Sequence, residues 1–272
     1  MGAETEKGGQ SMTKKIQQSF KRFEKKYLLT PAQYDALLDS MMPYMKVDEY
    51  GRYTICNIYY DTDNFELIRT SLEKTVYKEK LRLRSYGTPA DDEKVFVEIK
   101  KKFDQVVYKR RAVMPCTEAA SYLAGDAYPL KADQICHEID WFLKSYQPKP
   151  KVFIAYDRVA LAGIENEELR VTFDTNLRWR DYDLDLRKGD HGQLILPQDR
   201  ILMEIKIPGT SSVWLGHLLS EVGVFPTSFS KYGTCYKEHL LSRSLPQNKI
   251  FVSCQAPKLS TAKPMKEARI SA

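Results

Sequence analysis

In the stretch KEKLRLRSY (residues 78–86), Arg82 and Arg84 flank a single leucine inside a run that reads as a β-strand. Side chains alternate across a strand, so residues two apart share a face. The same rule pairs Glu24 with Lys26, Glu98 with Lys100, Lys109 with Arg111, Tyr156 with Arg158 and Glu204 with Lys206, and it sets Arg170 with Thr172 and Asp174. Leu81, Leu83, Val97, Ile99, Val171, Phe173, Met203, Ile205 and Ile207 fall on the opposite faces. Any single pair fits a solvated outer face. A wet outer face also carries Ser, Thr and Gln, whereas this one concentrates arginine and lysine with a few carboxylates and Tyr156. Facing an enclosed bore, such a set repels itself unless a polyanion relieves it. Arginine forks match phosphate oxygens and lysines act as point charges, so the chemistry indicated is phosphate binding.

Strand-like alternation or β-branched enrichment appears near 22–29, 53–60, 77–86, 94–102, 106–113, 150–160, 168–176 and 200–207. The three runs between 77 and 113 are joined by short polar links, as in antiparallel meanders. Helical periodicity marks PAQYDALLDSMMPYM, with Thr30 and Pro31 as cap and first turn, and recurs near 64–73, 116–124, 131–146, 212–222 and 228–242. The fold class expected is α+β: eight antiparallel strands closed into a barrel, apolar faces outward beneath the helices and charged faces lining a water-filled bore.

Composition is consistent with this and excludes several classes. The 272 residues are 43% hydrophobic and 29% charged, ordinary for a folded chain with a sizeable core. A formal net charge of +6 favours anionic partners without choosing among them. Five cysteines without a CxxC pair fit neither a disulfide framework nor a zinc site, and the four histidines lack HxH or HExxH spacing. No run approaches the roughly 20 apolar residues of a membrane span, and the first residues lack the apolar core of a signal peptide. A cytoplasmic location is expected, with polar tails at 1–19 and 244–272 around one domain at 20–243. Trp141, Trp179 and Trp214 are expected in the core or an interface, and nucleic acid is not an expected partner, because the aromatics do not interleave with basic residues as stacking platforms.

The strings RFEKKYLL, NIYYDT, KLRLRSYG, VFVEIKKK, VYKRRAV, IAYDRVA, LRVTFDTNLRWR, ILMEIKIP and SFSKY occur in that order. In this the chain resembles the VTC domain of polyphosphate polymerases, within the triphosphate tunnel metalloenzyme or CYTH superfamily, over roughly Phe20 to His239. The resemblance implies a tunnel of eight antiparallel strands in which the γ-phosphate of ATP passes to a growing polyphosphate chain, with ADP released and Mn²⁺ or Mg²⁺ required. It assigns phosphate binding to Lys26, Arg82, Arg84, Lys100, Lys109, Tyr156, Arg158 and Arg170, with Arg111 and Lys206 as weaker candidates on the same faces. Glu204 matches the metal-binding glutamate, and Lys231, with Ser230 beside it, a lysine near the reacting phosphates. The catalytic set so implied is Lys26, Arg82, Arg84, Glu204 and Lys231, acting on ATP and inorganic polyphosphate beside a separate membrane-spanning partner. The superfamily's triphosphatases begin with Glu-x-Glu-x-Lys, whereas this chain has Arg22 at the first position, which favours phosphate over water as acceptor. Two alternatives stay open: a metal-dependent triphosphatase acting on inorganic or nucleoside triphosphate or an RNA 5′-triphosphate end, and a non-catalytic module binding polyphosphate or inositol phosphates.

Overall fold

The computed structural model describes residues 22–244 except 105, 210 and 211. The expected tails at 1–19 and 244–272, with Cys254, lie outside the described residues except for Ser244. The chain runs β1 (Arg22–Leu29), α1 (Pro31–Met41), β2 (Met45–Asp61), α2 (Glu66–Leu72), β3 (Tyr77–Tyr86), β4 (Lys94–Phe103), β5 (Val106–Pro115), α3 (Cys116–Ala124) and α4 (Gln134–Tyr146). It continues through β6 (Lys149–Gly163), β7 (Arg170–Arg180), the two-residue β8 (Gln193–Leu194), β9 (Ile201–Pro208), α5 (Val213–Glu221), α6 (Lys231–Cys235), one π turn (Tyr236–Leu240) and α7 (Leu241–Ser244).

All ladders are antiparallel, in the order β1-β9-β7-β6-β2-β3-β4-β5, with β8 paired to β7. The eight long strands are those expected, and the sheet curls until Glu24 and Lys26 of β1 and Lys109 of β5 line one cavity. Closure differs from the expectation: among the described residues no ladder joins β1 to β5, so the barrel-like wall keeps a seam. The backbone of Thr227 instead covers the free edge of β1, its N–H donating to the Lys26 carbonyl at 2.7 Å.

Alternation sorts the faces as the sequence required. Leu81, Leu83, Val97 and Ile99 pack outward with residues of α3 and α4, while Val171, Phe173, Met203 and Ile205 pack outward with Leu37 and Met41 of α1 and Leu215 of α5. Each fully buried aliphatic side chain contributes about 1.5–3 kcal/mol, so these two clusters fix which face turns inward. A third cluster lies on the inner face: Ile55, Tyr59, Ile154, Tyr156, Leu177, Trp179 and Leu202 meet Ile68 of α2 and Tyr232 of α6. It forms an apolar floor to the cavity.

Several boundaries moved for local reasons. Helix α1 has the expected Thr30 cap, completed as a capping box by Gln33, but stops at Met41. Pro43 has no N–H to continue it, so Met45 starts β2 rather than ending a helix. The single helix expected at 228–242 begins at Lys231, where the Ser230 hydroxyl accepts from Gly233 N, and passes through a π turn. Trp179 is buried and Trp214 stacks on Tyr44 at 4.3 Å, while Trp141 lies outside the core, exposed with the Lys101 ammonium over its ring. The four described cysteines are buried and free. No helix among the described residues is long and apolar enough to cross a membrane.

One buried carboxylate ties the floor to the wall. Asp61, at the end of β2, accepts from the N–H groups of Thr62, Leu67 and Ile68 at 2.8–3.0 Å and from the Tyr232 hydroxyl at 2.9 Å. Burial raises its pKa against the pull of those hydrogen bonds. It thus caps α2, whose own N-cap Phe65 offers no side-chain acceptor, and anchors α6. Replacing Asp61 with Ala leaves buried donors unpaired and should lower the unfolding free energy by roughly 3 kcal/mol, whereas Tyr232→Phe should cost about 1–2 kcal/mol. Urea unfolding of the two variants checks the order.

Candidate functional site

The curled wall encloses a cavity of about 360 Å³ lined by nine basic and three acidic side chains. Register explains how they meet. Lys26 lies opposite Glu204, Tyr59 opposite Arg82, Arg82 opposite Glu98, and Arg158 opposite Asp174; Lys80, Lys100 and Lys109 form a row across three strands.

Glu98, 1% exposed, sits at the centre of one half. Arg82 approaches it at 2.7 Å and Lys109 at 2.8 Å, with Arg111 at 3.5 Å and Arg84 at 3.8 Å. Burial pushes its carboxyl up, but Arg82, Arg84 and Lys109 outweigh that and hold it at about 2. Arg84 is aimed by two further bonds, donating to Asn57 Oδ1 at 2.9 Å and to the Tyr156 hydroxyl at 3.2 Å.

The other half is built on Asp174, fully buried, which receives both arms of Arg158 at 2.6 and 2.7 Å and the Lys231 ammonium at 2.6 Å. Lys231 also reaches Glu204 at 2.9 Å and lies over the Tyr156 ring at 4.4 Å. Lys26 is ion-paired with Glu24 and stands 3.5 Å from Glu204. Burial alone would neutralise these groups, yet Asp174 and Glu204 raise the Lys231 pKa, and Lys231, Lys26 and Arg158 lower that of Glu204. Both stay charged across the physiological range. Lys80 and Lys109 differ: burial brings each down to about 8, helped at Lys80 by Lys100, Lys78 and Arg82, and at Lys109 by Arg82 and Arg84 against the pull of Glu98.

Of the residues expected to grip phosphate, Lys26, Arg82, Arg84, Lys100, Lys109, Tyr156, Arg158, Lys206, Ser230 and Lys231 line this cavity together with Glu204. Arg111 and Arg170 do not. Arg111 is half-exposed at the rim over Phe96, and Arg170, the first residue of β7, is exposed and pairs with Lys206 across the ladder. Five participants were not among the site residues expected from sequence: Lys80, Tyr59 and Glu24 in the lining, and Glu98 and Asp174 as anchors, although Glu24, Glu98 and Asp174 were placed on the charged face. Alternation carried a signal for Lys80, two residues before Arg82, and for Asp174, two after Thr172.

A model of the VTC domain matches residues 21–239. The chain belongs to the VTC domain family. A curated relative, vacuolar transporter chaperone complex subunit 4 of Schizosaccharomyces pombe, is 26% identical over 213 residues, covering 67% of this VTC domain chain and 29% of the relative. The chain therefore spans less than a third of that protein's length. Among solved structures, a putative adenylate cyclase of Bacillus halodurans is 16% identical with a TM-score of 0.49, covering 76% of this chain and 92% of that one. A putative adenylyl cyclase of Hippeastrum, described as having a dominant triphosphatase activity, is 13% identical with a TM-score of 0.45, covering 80% and 95%. The family assignment rests on the domain match over residues 21–239, not on these structural likenesses.

Of the three carboxylates lining the cavity, Glu204 on β9 and Glu24 on β1 have side chains 13% and 39% exposed, against 1% for Glu98. A hard divalent cation bound to phosphates takes one or two carboxylates and keeps several waters, so this oxygen donor pair fits one. Among the described residues no three His, Cys, Asp or Glu side chains converge to hold a metal ion.

The two lysines near pH 8 make binding pH-dependent with a definite sign. A bound polyanion favours their protonated forms, so complex formation takes up protons near pH 8, and affinity for tripolyphosphate falls as pH rises from 7 to 9, by up to about tenfold per lysine. Titration calorimetry in two buffers of different ionisation enthalpy measures the uptake, which should shrink in Lys80→Met.

Proposed function

We propose that the domain, with residues 20–243 as its catalytic unit, is a polyphosphate polymerase that transfers the γ-phosphate of ATP to the end of a polyphosphate chain and releases ADP. The observation that carries this reading is the pairing of Lys231, Glu204 and Asp174 at the heart of a strongly cationic cavity. Lys231 is held protonated and Glu204 ionised, each against its burial. Neither is poised to take a proton from water, and the terminal phosphate of a polyphosphate is anionic already and needs no base. Positioning and charge neutralisation are what phosphoryl transfer requires most.

The side chains divide the work. Arg82, Arg84 and Arg158 are fixed by Glu98, Asn57, Tyr156 and Asp174, so their outward N–H groups meet phosphate oxygens without being ordered at the moment of binding. Lys26 and Lys231 place charge beside the transferred group. The row Lys80, Lys100, Lys109 offers point charges to a phosphate chain, with Lys206 on the β9 side. Mn²⁺ or Mg²⁺ would be held by Glu204 with Glu24, and when bound it neutralises charge developing on the donor phosphates. The relative's name makes it a subunit of a vacuolar transporter chaperone complex, which supports a membrane-associated partner for this chain as well.

Incubation with ATP and Mn²⁺, followed by gel resolution of products, tests the reading. Long phosphate polymers with ADP are expected; orthophosphate alone would assign the chain to triphosphate hydrolysis, and no turnover would leave a binding module. Glu204→Gln and Lys231→Ala should each reduce turnover by a hundredfold or more, on the order of the ~3–4 kcal/mol that one preorganised charged contact supplies in a transition state, while leaving tripolyphosphate bound.

A further inference from the structure

Beyond the cavity lining, the inner face of β2, β3 and β4 turns from arginine to aromatic. Phe96 is the cross-strand partner of Arg84, Tyr53 that of Arg158, and Tyr86 follows Arg84 two residues along β3. The rings meet edge on, Tyr53 to Tyr86 at 5.9 Å between centroids and Tyr86 to Phe96 at 5.6 Å. The Arg111 guanidinium lies over Phe96 at 5.2 Å. Neither outer apolar cluster includes this row, and Tyr86 remains 47% exposed. Large aromatic rings normally bury most of their surface. Here Tyr86 stands open, with the half-buried Tyr53 and Phe96 on either side, beside the groups that would hold phosphate.

Strand β2 is also deformed to extend the row. Its pairing with β6 breaks between Val47 and Arg52, and Gly51 takes a φ of 61°, which a side chain would disfavour. The displaced segment brings Tyr50, 68% exposed, to 6.0 Å from Tyr53. Bulges of this kind re-aim side chains near binding sites.

We propose that Tyr53, Tyr86 and Phe96 form a stacking site for the base of a nucleoside triphosphate whose phosphates occupy the basic cavity. The proposal rests on the reading that the cavity holds a triphosphate, and it adds the end from which the nucleotide enters. Two residues along a strand span about 6.6 Å, a length that a ribose bridges between a base and its first phosphate. Aromatic stacking suits any base, because each presents a π face, and Arg111 adds a cationic edge. The site therefore distinguishes nucleotides from inorganic triphosphate and is tolerant of which base is present.

Dissociation constants for the β,γ-imido analogues of ATP and GTP and for inorganic tripolyphosphate, measured by calorimetry with Mg²⁺ on the intact chain, test this. In Tyr86→Ala and Phe96→Ala both nucleotides should weaken by roughly tenfold or more, with tripolyphosphate unchanged and Tyr86→Trp restoring nucleotide affinity. Equal weakening of all three ligands would overturn the proposal in favour of a structural role, and so would no change in any. If the native chain binds tripolyphosphate but gains nothing from a base, the stacking site alone falls. If it binds none of the three, the cavity reading falls and takes the site with it. The measurement needs no turnover, so failure to polymerise does not decide it.

Discussion

Like charges crowded into a partly desolvated cavity repel by several kcal/mol per close pair, and the structure depends on how that repulsion is managed. Three carboxylates do most of it. Glu98 and Asp174 are buried among the basic side chains and Glu204 stands beside them, and together they hold Lys26, Arg82, Arg84, Lys109, Arg158 and Lys231 in ion pairs. Removing one partner of such a set leaves a buried charge uncompensated, which costs more than the pair contributes. The arrangement leaves the wall with more positive charge than its own carboxylates neutralise. That surplus is what a phosphate chain would meet.

The floor has a second consequence for the same groups. Tyr59 and Tyr232 stack at 4.8 Å, and Tyr232 is tied through its hydroxyl to Asp61. Lys231 is the neighbour of Tyr232, so the lysine's place in the cavity is set by a packing and hydrogen-bond system that contains no phosphate-binding group. Position and charge are thereby supplied by separate parts of the structure. In the three-strand row of lysines only Lys109 has a carboxylate partner, Glu98, within ion-pair distance among the described residues, and burial depresses the pKa of both Lys80 and Lys109.

Much of this was legible in the sequence because strand alternation is strict. One register error would have exchanged every inner and outer residue, so the joint placement of Arg82, Arg84, Lys26, Arg158 and Glu204 follows from the period alone once the strands are located. Strand closure was not legible, since pairing between β1 and β5 depends on curvature that no local pattern records. Arg170 was placed with the others by face and not by depth along the bore, a coordinate that alternation lacks. The anchors Glu98 and Asp174 looked like ordinary members of a mixed face, because burial behind a neighbour is a tertiary property. The aromatic row escaped notice for a related reason: Tyr53, Tyr86 and Phe96 lie on three strands and become adjacent only through the ladder.

Glu204 receives Lys26 from β1 and Lys231 from α6, near opposite ends of the described chain. Contacts of such long sequence separation form late, after the loops between them have closed. During synthesis on a ribosome the basic cavity therefore stays unassembled until nearly the whole domain has emerged. A prematurely terminated chain would carry the arginines of the middle strands without the lysine that completes the set, and nascent fragments would have no finished cradle with which to capture cellular nucleotides.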